Sequence, residues 1–79
     1  MTQDDVFQTI IRHTREVLPD LQAHAFAPSD SLRALGANSI DRSEIVMLTL
    51  ASLSVNVRLI ETAAAENIGE LASIIYAKA

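Results

Sequence analysis

The sequence predicts an all-α fold, a four-helix bundle of three long helices and one short one, with a long loop between the first two. Three observations predict it. Apolar residues recur at three- and four-residue spacing near both ends of the chain, with a dense apolar run between them. Hydrophobic residues make up 49% of the sequence and aromatics only 4%, so the core must be built from Leu, Ile, Val and Ala, which suits helix-on-helix packing. Pro19, Pro28 and Gly36 punctuate the stretch between the first two helical segments.

In the first segment, Asp4 to Leu18, Val6, Ile10 and Val17 lie on one helix face, flanked by Phe7, Ile11, Thr14 and Leu18. Pro19 ends it, because the residue before a proline avoids helical backbone angles. From Pro19 to Asn38 no period is sustained, and Ser29-Asp30-Ser31 adds a polar cluster, so this stretch reads as a loop. A loop of that length in a small domain must pack down or do a job; Phe26, Leu32 and Leu35 are its expected anchors. The second helix starts at Asn38, with Asp41 three residues on as the partner in a capping box, and runs to about Leu53. From Ile45 to Leu53 it is apolar nearly all round, as expected of the central helix of a bundle. One or two helical turns are expected over Ile60 to Ala65. The last helix, about Asn67 to Ala77, sets Ile68, Leu71, Ile74 and Ile75 on one face. No repeat or composition shift marks a second unit, so residues 1–79 read as one domain.

A chain of 79 residues buries only about 60% of the surface its unfolded form exposes, leaving no room for an enclosed active site. Ten acidic residues against six basic ones, a net charge of −4, oppose the phosphate neutralisation that drives nucleic-acid binding. No apolar stretch reaches the ~20 residues a membrane span needs. With no cysteine, the chain supplies no disulfide, thiolate metal site or thiol nucleophile; any thiol chemistry must come from an added group. His13 in a helix and His24 in a loop have no carboxylate at a ligand spacing, so surface or half-buried histidines are expected rather than a metal site. The acidic Met1-Thr2-Gln3-Asp4-Asp5 start has neither the basic and apolar regions of a secretory signal nor the character of a transit peptide, and the expectation is a complete, cytoplasmic protein.

The informative segment is Leu35-Gly36-Ala37-Asn38-Ser39-Ile40-Asp41-Arg42-Ser43-Glu44-Ile45, a turn at a glycine that delivers a serine to a helix start. With Asn38 as cap, Ser39 falls in the first turn, where its hydroxyl is not needed by backbone donors and is free to be modified. A phosphodiester there would meet unpaired backbone amides and the positive end of the helix dipole. Taken alone, a serine ahead of an apolar helix is most often a plain cap. A Ser-His-Asp nucleophile is excluded, since nothing forms a strand-to-helix elbow or an enclosing pocket.

The surroundings change that balance. An amphipathic first helix ending in Val17-Leu18-Pro19, a long loop, then Leu35-Gly36-Ala37-Asn38-Ser39-Ile40 and Glu44-Ile45-Val46-Met47 resemble the acyl carrier protein family over the whole chain. The resemblance implies a four-helix fold and a covalent 4′-phosphopantetheine on Ser39, whose thiol holds an acyl chain; such a protein is not an enzyme. The chain departs from the family's Asp-Ser-Leu motif with Asn38 for Asp and Ile40 for Leu. Asn38 lacks the charge that would help a transferase hold a metal ion beside the serine, which implies loading by a particular phosphopantetheinyl transferase. The second helix is the family's recognition surface and is commonly acidic, since charge sets encounter rate and selectivity. Between Ser39 and Glu61 this chain has three acids (Asp41, Glu44, Glu61) against two bases (Arg42, Arg58), with Leu50 and Ala51 where the fatty-acid type tends to have glutamates.

Asn-Ser-Ile-Asp-Arg followed by Glu-Ile is most similar to the free-standing donor carriers of bacterial polyketide β-branching cassettes, which present acetyl to an enzyme resembling hydroxymethylglutaryl (HMG) synthase. That resemblance implies an acyltransferase, an HMG-synthase-like enzyme or other polyketide synthase components as partners, met by a monomer through Asn38, Asp41, Arg42, Glu44 and Met47. Arg42 is there a hydrogen-bonding fork or only a solvated helix residue, and Met47 an adaptable apolar contact or partly core. The alternatives are a general fatty-acid or aminoacyl carrier, although aminoacyl carriers more often show Gly-Gly where this chain has Gly36-Ala37, and an unmodified helical adaptor.

Overall fold

The computed structural model describes residues 1–79 and contains four α-helices and no strand. Helix α1 spans Gln3–Val17, α2 Ser39–Leu53, α3 Leu59–Thr62 and α4 Ile68–Ala77, and a 3₁₀ turn, Pro19–Leu21, opens the long loop. Each of the three long helices starts on a side-chain cap. Thr2 accepts the Asp5 amide (3.1 Å) while the Asp5 carboxylate accepts the Thr2 amide (2.8 Å), a reciprocal box that starts α1 one residue before the Asp4 expected from periodicity. Asn67 caps α4 by accepting the Glu70 amide at 2.8 Å. The short helix was expected over Ile60 to Ala65; it starts one residue earlier and ends at Thr62, where the Glu61 carboxylate accepts the Arg58 amide (3.1 Å) and pairs with Lys78 beyond α4 (3.4 Å).

The core joins Val6 and Ile10 of α1, Ile45 and Val46 of α2, and Ile68, Leu71, Ala72 and Ile75 of α4, with Leu32 and Ala37 from the loop. Ile10, Ile45, Ile68 and Ile75 are 0% exposed, each contributing about 1.5–3 kcal/mol through burial. The hub is α1, which packs on both α2 and α4, while α3 bridges those two at the far side. This corrects the expectation that α2 is central. Only Ile45, Val46 and Thr49 of α2 are buried, and Met47 and Leu48 remain open to solvent. The apolar run of α2 therefore serves two faces, one in the core and one on the surface.

Histidine placement also differs from expectation. His13 is buried, because α1 turns it toward α2; its Nδ1–H donates to Glu16, and Nε2 lies 2.7 Å from the Ser52 hydroxyl. His24 is half-buried as expected. No group of three or more acidic or histidine side chains is placed to hold a metal ion, and no helix is long and apolar enough to cross a membrane.

The long loop packs down. Leu32 and Ala37 enter the core, Phe26 lies partly buried against it, and Leu35 is half-buried. The Arg15 guanidinium sits over the Phe26 ring (5.2 Å) and donates to the His24 carbonyl (3.1 Å), while His24 meets the same ring edge-on. Asp30 organises the next turn: its carboxylate accepts the Ala27 amide (2.8 Å) and bonds the His24 ring (3.0 Å). The carbonyls of Pro28 and Asp30 then accept the amides of Gly69 (2.8 Å) and Ile68 (2.9 Å), pinning the loop to the first turn of α4.

Two predictions test this anchoring. A Cβ on Gly69 would stand 3.0 Å from the Pro28 ring and 3.1 Å from the Pro28 carbonyl oxygen, which is itself bonded to the Gly69 amide and cannot give way. Alanine normally gains about 1 kcal/mol over glycine in a helix interior. Here the clash, of order 1–3 kcal/mol, outweighs that gain, so Gly69→Ala should lower the melting temperature in a circular-dichroism melt. Secondly, the Ala27 amide, and after it His24, hold the Asp30 carboxyl below its ordinary 3.8. A carboxyl lowered in the folded state stabilises the protein above its unfolded pKa and loses that contribution as pH falls through the folded value. Acid unfolding followed by circular dichroism should show stability falling below about pH 4, with a shallower dependence in Asp30→Asn.

Candidate functional site

The turn ahead of α2 sets the position of Ser39. The Leu35 amide donates to the Ser31 carbonyl (3.0 Å), Gly36 to Arg33 (3.2 Å) and Ala37 to Leu32 (3.0 Å), the six-to-one and five-to-two pattern that ends a helical turn. That closure needs Gly36 at φ +105°, a conformation only glycine takes without strain. Ala37, 2% exposed, then plugs the core, and Asn38 follows in extended conformation as the cap of α2. Asn38 Oδ1 accepts the Asp41 amide (2.8 Å) and Asp41 Oδ2 accepts the Asn38 amide (3.2 Å). The chain is thus fixed immediately on both sides of Ser39.

Ser39 itself is exposed, and its hydroxyl takes part in no hydrogen bond, because Asn38 already serves as the cap. It opens a shallow groove of about 240 Å³ between α2 and α3, lined also by Arg42, Ser43, Val46, Leu59, Thr62 and Ala63. The site contains no residue that activates the hydroxyl as a nucleophile. Its arrangement suits a serine that receives a group and displays it.

The other residues singled out in the sequence divide into two sets. Asn38 and Asp41 are engaged with each other in the capping box, and Arg42, half-buried, donates through Nη1 to the Ala37 carbonyl (2.7 Å). Glu44 and Met47 lie exposed on the open side of α2, Met47 at 54% rather than partly in the core. The structure adds two apolar residues that sequence reasoning passed over, Ile40 at 75% exposed and Ile60 at 76%. Ile40, Glu44, Met47 and Ala51 follow the spacing of one helix face. The signal was present in the sequence: α2 holds more apolar residues than one face of a 15-residue helix can bury.

The cap can be separated from charge by substitution. Asn38→Ala should cost about 1 kcal/mol, read as a lower denaturation midpoint, by orphaning the Asp41 amide. Asn38→Asp keeps an acceptor at that position and should remain within a few tenths of a kcal/mol of the parent.

No family model matches the chain. It is 44% identical over 78 residues to the polyketide biosynthesis acyl-carrier-protein AcpK of Bacillus subtilis (strain 168), covering 99% of this chain and 95% of that protein. It is also similar to a chain in the crystal structure of the HMG synthase of the curacin biosynthetic pathway in complex with acetyl donor acyl carrier protein. That match has a TM-score of 0.93 and 44% identity, covering 99% of this chain and 100% of the other. An exposed, unengaged serine at a capped helix start, on a helical bundle matched end to end by such relatives, places this chain in the acyl carrier protein family of polyketide biosynthesis, as a carrier rather than an enzyme.

Proposed function

We propose that Ser39 carries a 4′-phosphopantetheine, and that residues 1–79 act as one monomeric, cytoplasmic carrier domain delivering acetyl to an HMG-synthase-like enzyme of β-branching. The observation that carries this reading is the hydroxyl of Ser39, solvent-exposed and unengaged at the start of α2. The residues present fit the group. The amides of Ser39 and Ile40 have no protein partner, so the helix start offers donors and positive dipole to a phosphodiester. The arm, when attached, supplies a thiol that holds the acyl group as a thioester.

The chain's own residues orient and present. Asn38 and Asp41 hold the attachment point rigid, so that a docked enzyme meets the arm's origin at a fixed place on α2. Tethering then replaces a diffusing substrate by one at high effective concentration, so docking can be weak and brief. Docking falls to the open side of α2, where Ile40 and Met47 offer apolar contact beside Glu44. The identity with the donor protein seen bound to the curacin HMG synthase supports that class of partner. Loading requires a phosphopantetheinyl transferase that accepts Asn38 before the serine, followed by an acyltransferase.

The test is intact-protein mass after incubation with coenzyme A and a broad-specificity transferase. A gain of about 340 Da, absent from Ser39→Ala, is expected. No gain with several transferases sinks the reading and leaves an unmodified helical adaptor. With the acetylated protein in hand, Met47→Glu should weaken binding to the synthase roughly tenfold by placing a charge in an apolar contact, measured by titration calorimetry.

A further inference from the structure

Arg42 carries a charge that no carboxylate in the protein neutralises. The carboxylates that meet a basic side chain are Glu16 with the His13 ring, Asp30 with the His24 ring, and Glu61 with Lys78. The Arg42 guanidinium makes one contact, from Nη1 to the Ala37 carbonyl. A guanidinium has five donors in a rigid fork, so most of its capacity is unused. Arg42 is nonetheless half-buried, lining both the groove that starts at Ser39 and the neighbouring one that reaches Leu71.

The placement is directional. Residues three apart on a helix are surface neighbours, and helical side chains lean toward the N-terminus. Arg42 therefore reaches back over the turn that holds Ser39, as its bond to Ala37, two residues ahead of the serine, demonstrates. The only other charged group at this helix start is Asp41, whose carboxylate caps the Asn38 amide and would repel an anion on Ser39. A phosphate there gains from a cation beyond the helix amides and dipole, and Arg42 is the cation placed to give it.

We propose that Arg42 is a positioning residue for the prosthetic arm. It pairs with the phosphodiester on Ser39 and lays the arm's first segment along the groove between α2 and α3. This rests on Ser39 carrying the arm. The pair is half-exposed and screened by salt, so the latch is weak, shifting the ratio of pinned to free arm about two- to fivefold. Weakness suits the task, since a docked enzyme must draw the arm away.

The experiment compares apo and holo forms of the parent, Arg42→Gln and Arg42→Lys, with intact mass confirming loading before each spectrum. The readouts are the ³¹P shift of the phosphodiester and the Nε–H resonance of Arg42 at low and high salt. Loading should move the Arg42 resonance. The ³¹P shift of Arg42→Gln should differ from the parent's, Arg42→Lys should fall between them, and high salt should carry the parent toward Arg42→Gln. The salt arm separates the latch from loss of the Ala37 contact, because salt screens a pair of opposite charges far more than a bond to a neutral carbonyl. Loaded parent and Arg42→Gln with the same ³¹P shift, and an Arg42 resonance indifferent to loading, overturn the latch alone. A parent that gains no mass overturns the attachment at Ser39 and the latch with it.

Discussion

The fold depends on two hydrogen bonds that join the long loop to the start of α4, from Ile68 to the Asp30 carbonyl and from Gly69 to the Pro28 carbonyl. Helix starts leave amides without internal partners, and a loop packed over a core leaves carbonyls without partners. Each element here satisfies the other's deficit. The contact is close because Gly69 has no side chain, so the proline ring rests directly on the helix. With the loop held there, Leu32 and Ala37 reach the core, Gly36 closes its turn, and α2 begins at Ser39.

Much of this was legible in the sequence, for a physical reason. The caps at Asn38 and Asn67 are local chemistry, decided by side chains within one turn, and the apolar face of α4 is a period. What the sequence did not reveal is non-local. The burial of His13 and its link to Ser52 depend on how α1 meets α2, 39 residues along the chain. The Pro28–Gly69 contact depends on the loop's path. The clearest misreading, of α2 as the central helix, came from taking apolar composition as burial. Met47 and Ile40 are apolar yet exposed, and a periodicity argument cannot distinguish a buried apolar face from an exposed one.

The site combines rigidity around Ser39 with openness along the exposed face of α2. Ser39 stands between a glycine turn that admits no other residue without strain and a reciprocal cap that spends both Asn38 and Asp41 on backbone amides. Two of the acids one would assign to partner attraction by counting charges divide in this way: Asp41 is occupied with the helix, and Glu44 is free. Asp41 keeps its charge but its carboxylate is committed to the cap, so Glu44 is the acid on this stretch of α2 free to make direct contacts, beside exposed apolar residues.

Helix α3 is four residues long, a single turn whose start is held by Glu61 and whose far end packs only through Thr62 and its neighbours. One turn cannot repay its own nucleation cost, so its order is borrowed from contacts with α2 and α4. Yet it forms one wall of the groove that opens at Ser39. The opposite wall is a capped helix of 15 residues. The groove is therefore mechanically lopsided, with a firm side that fixes the origin of whatever is attached and a yielding side that sets its width. The width of the groove thus rests on the least self-supporting element of the fold, while Ser39 stands on a fully capped one.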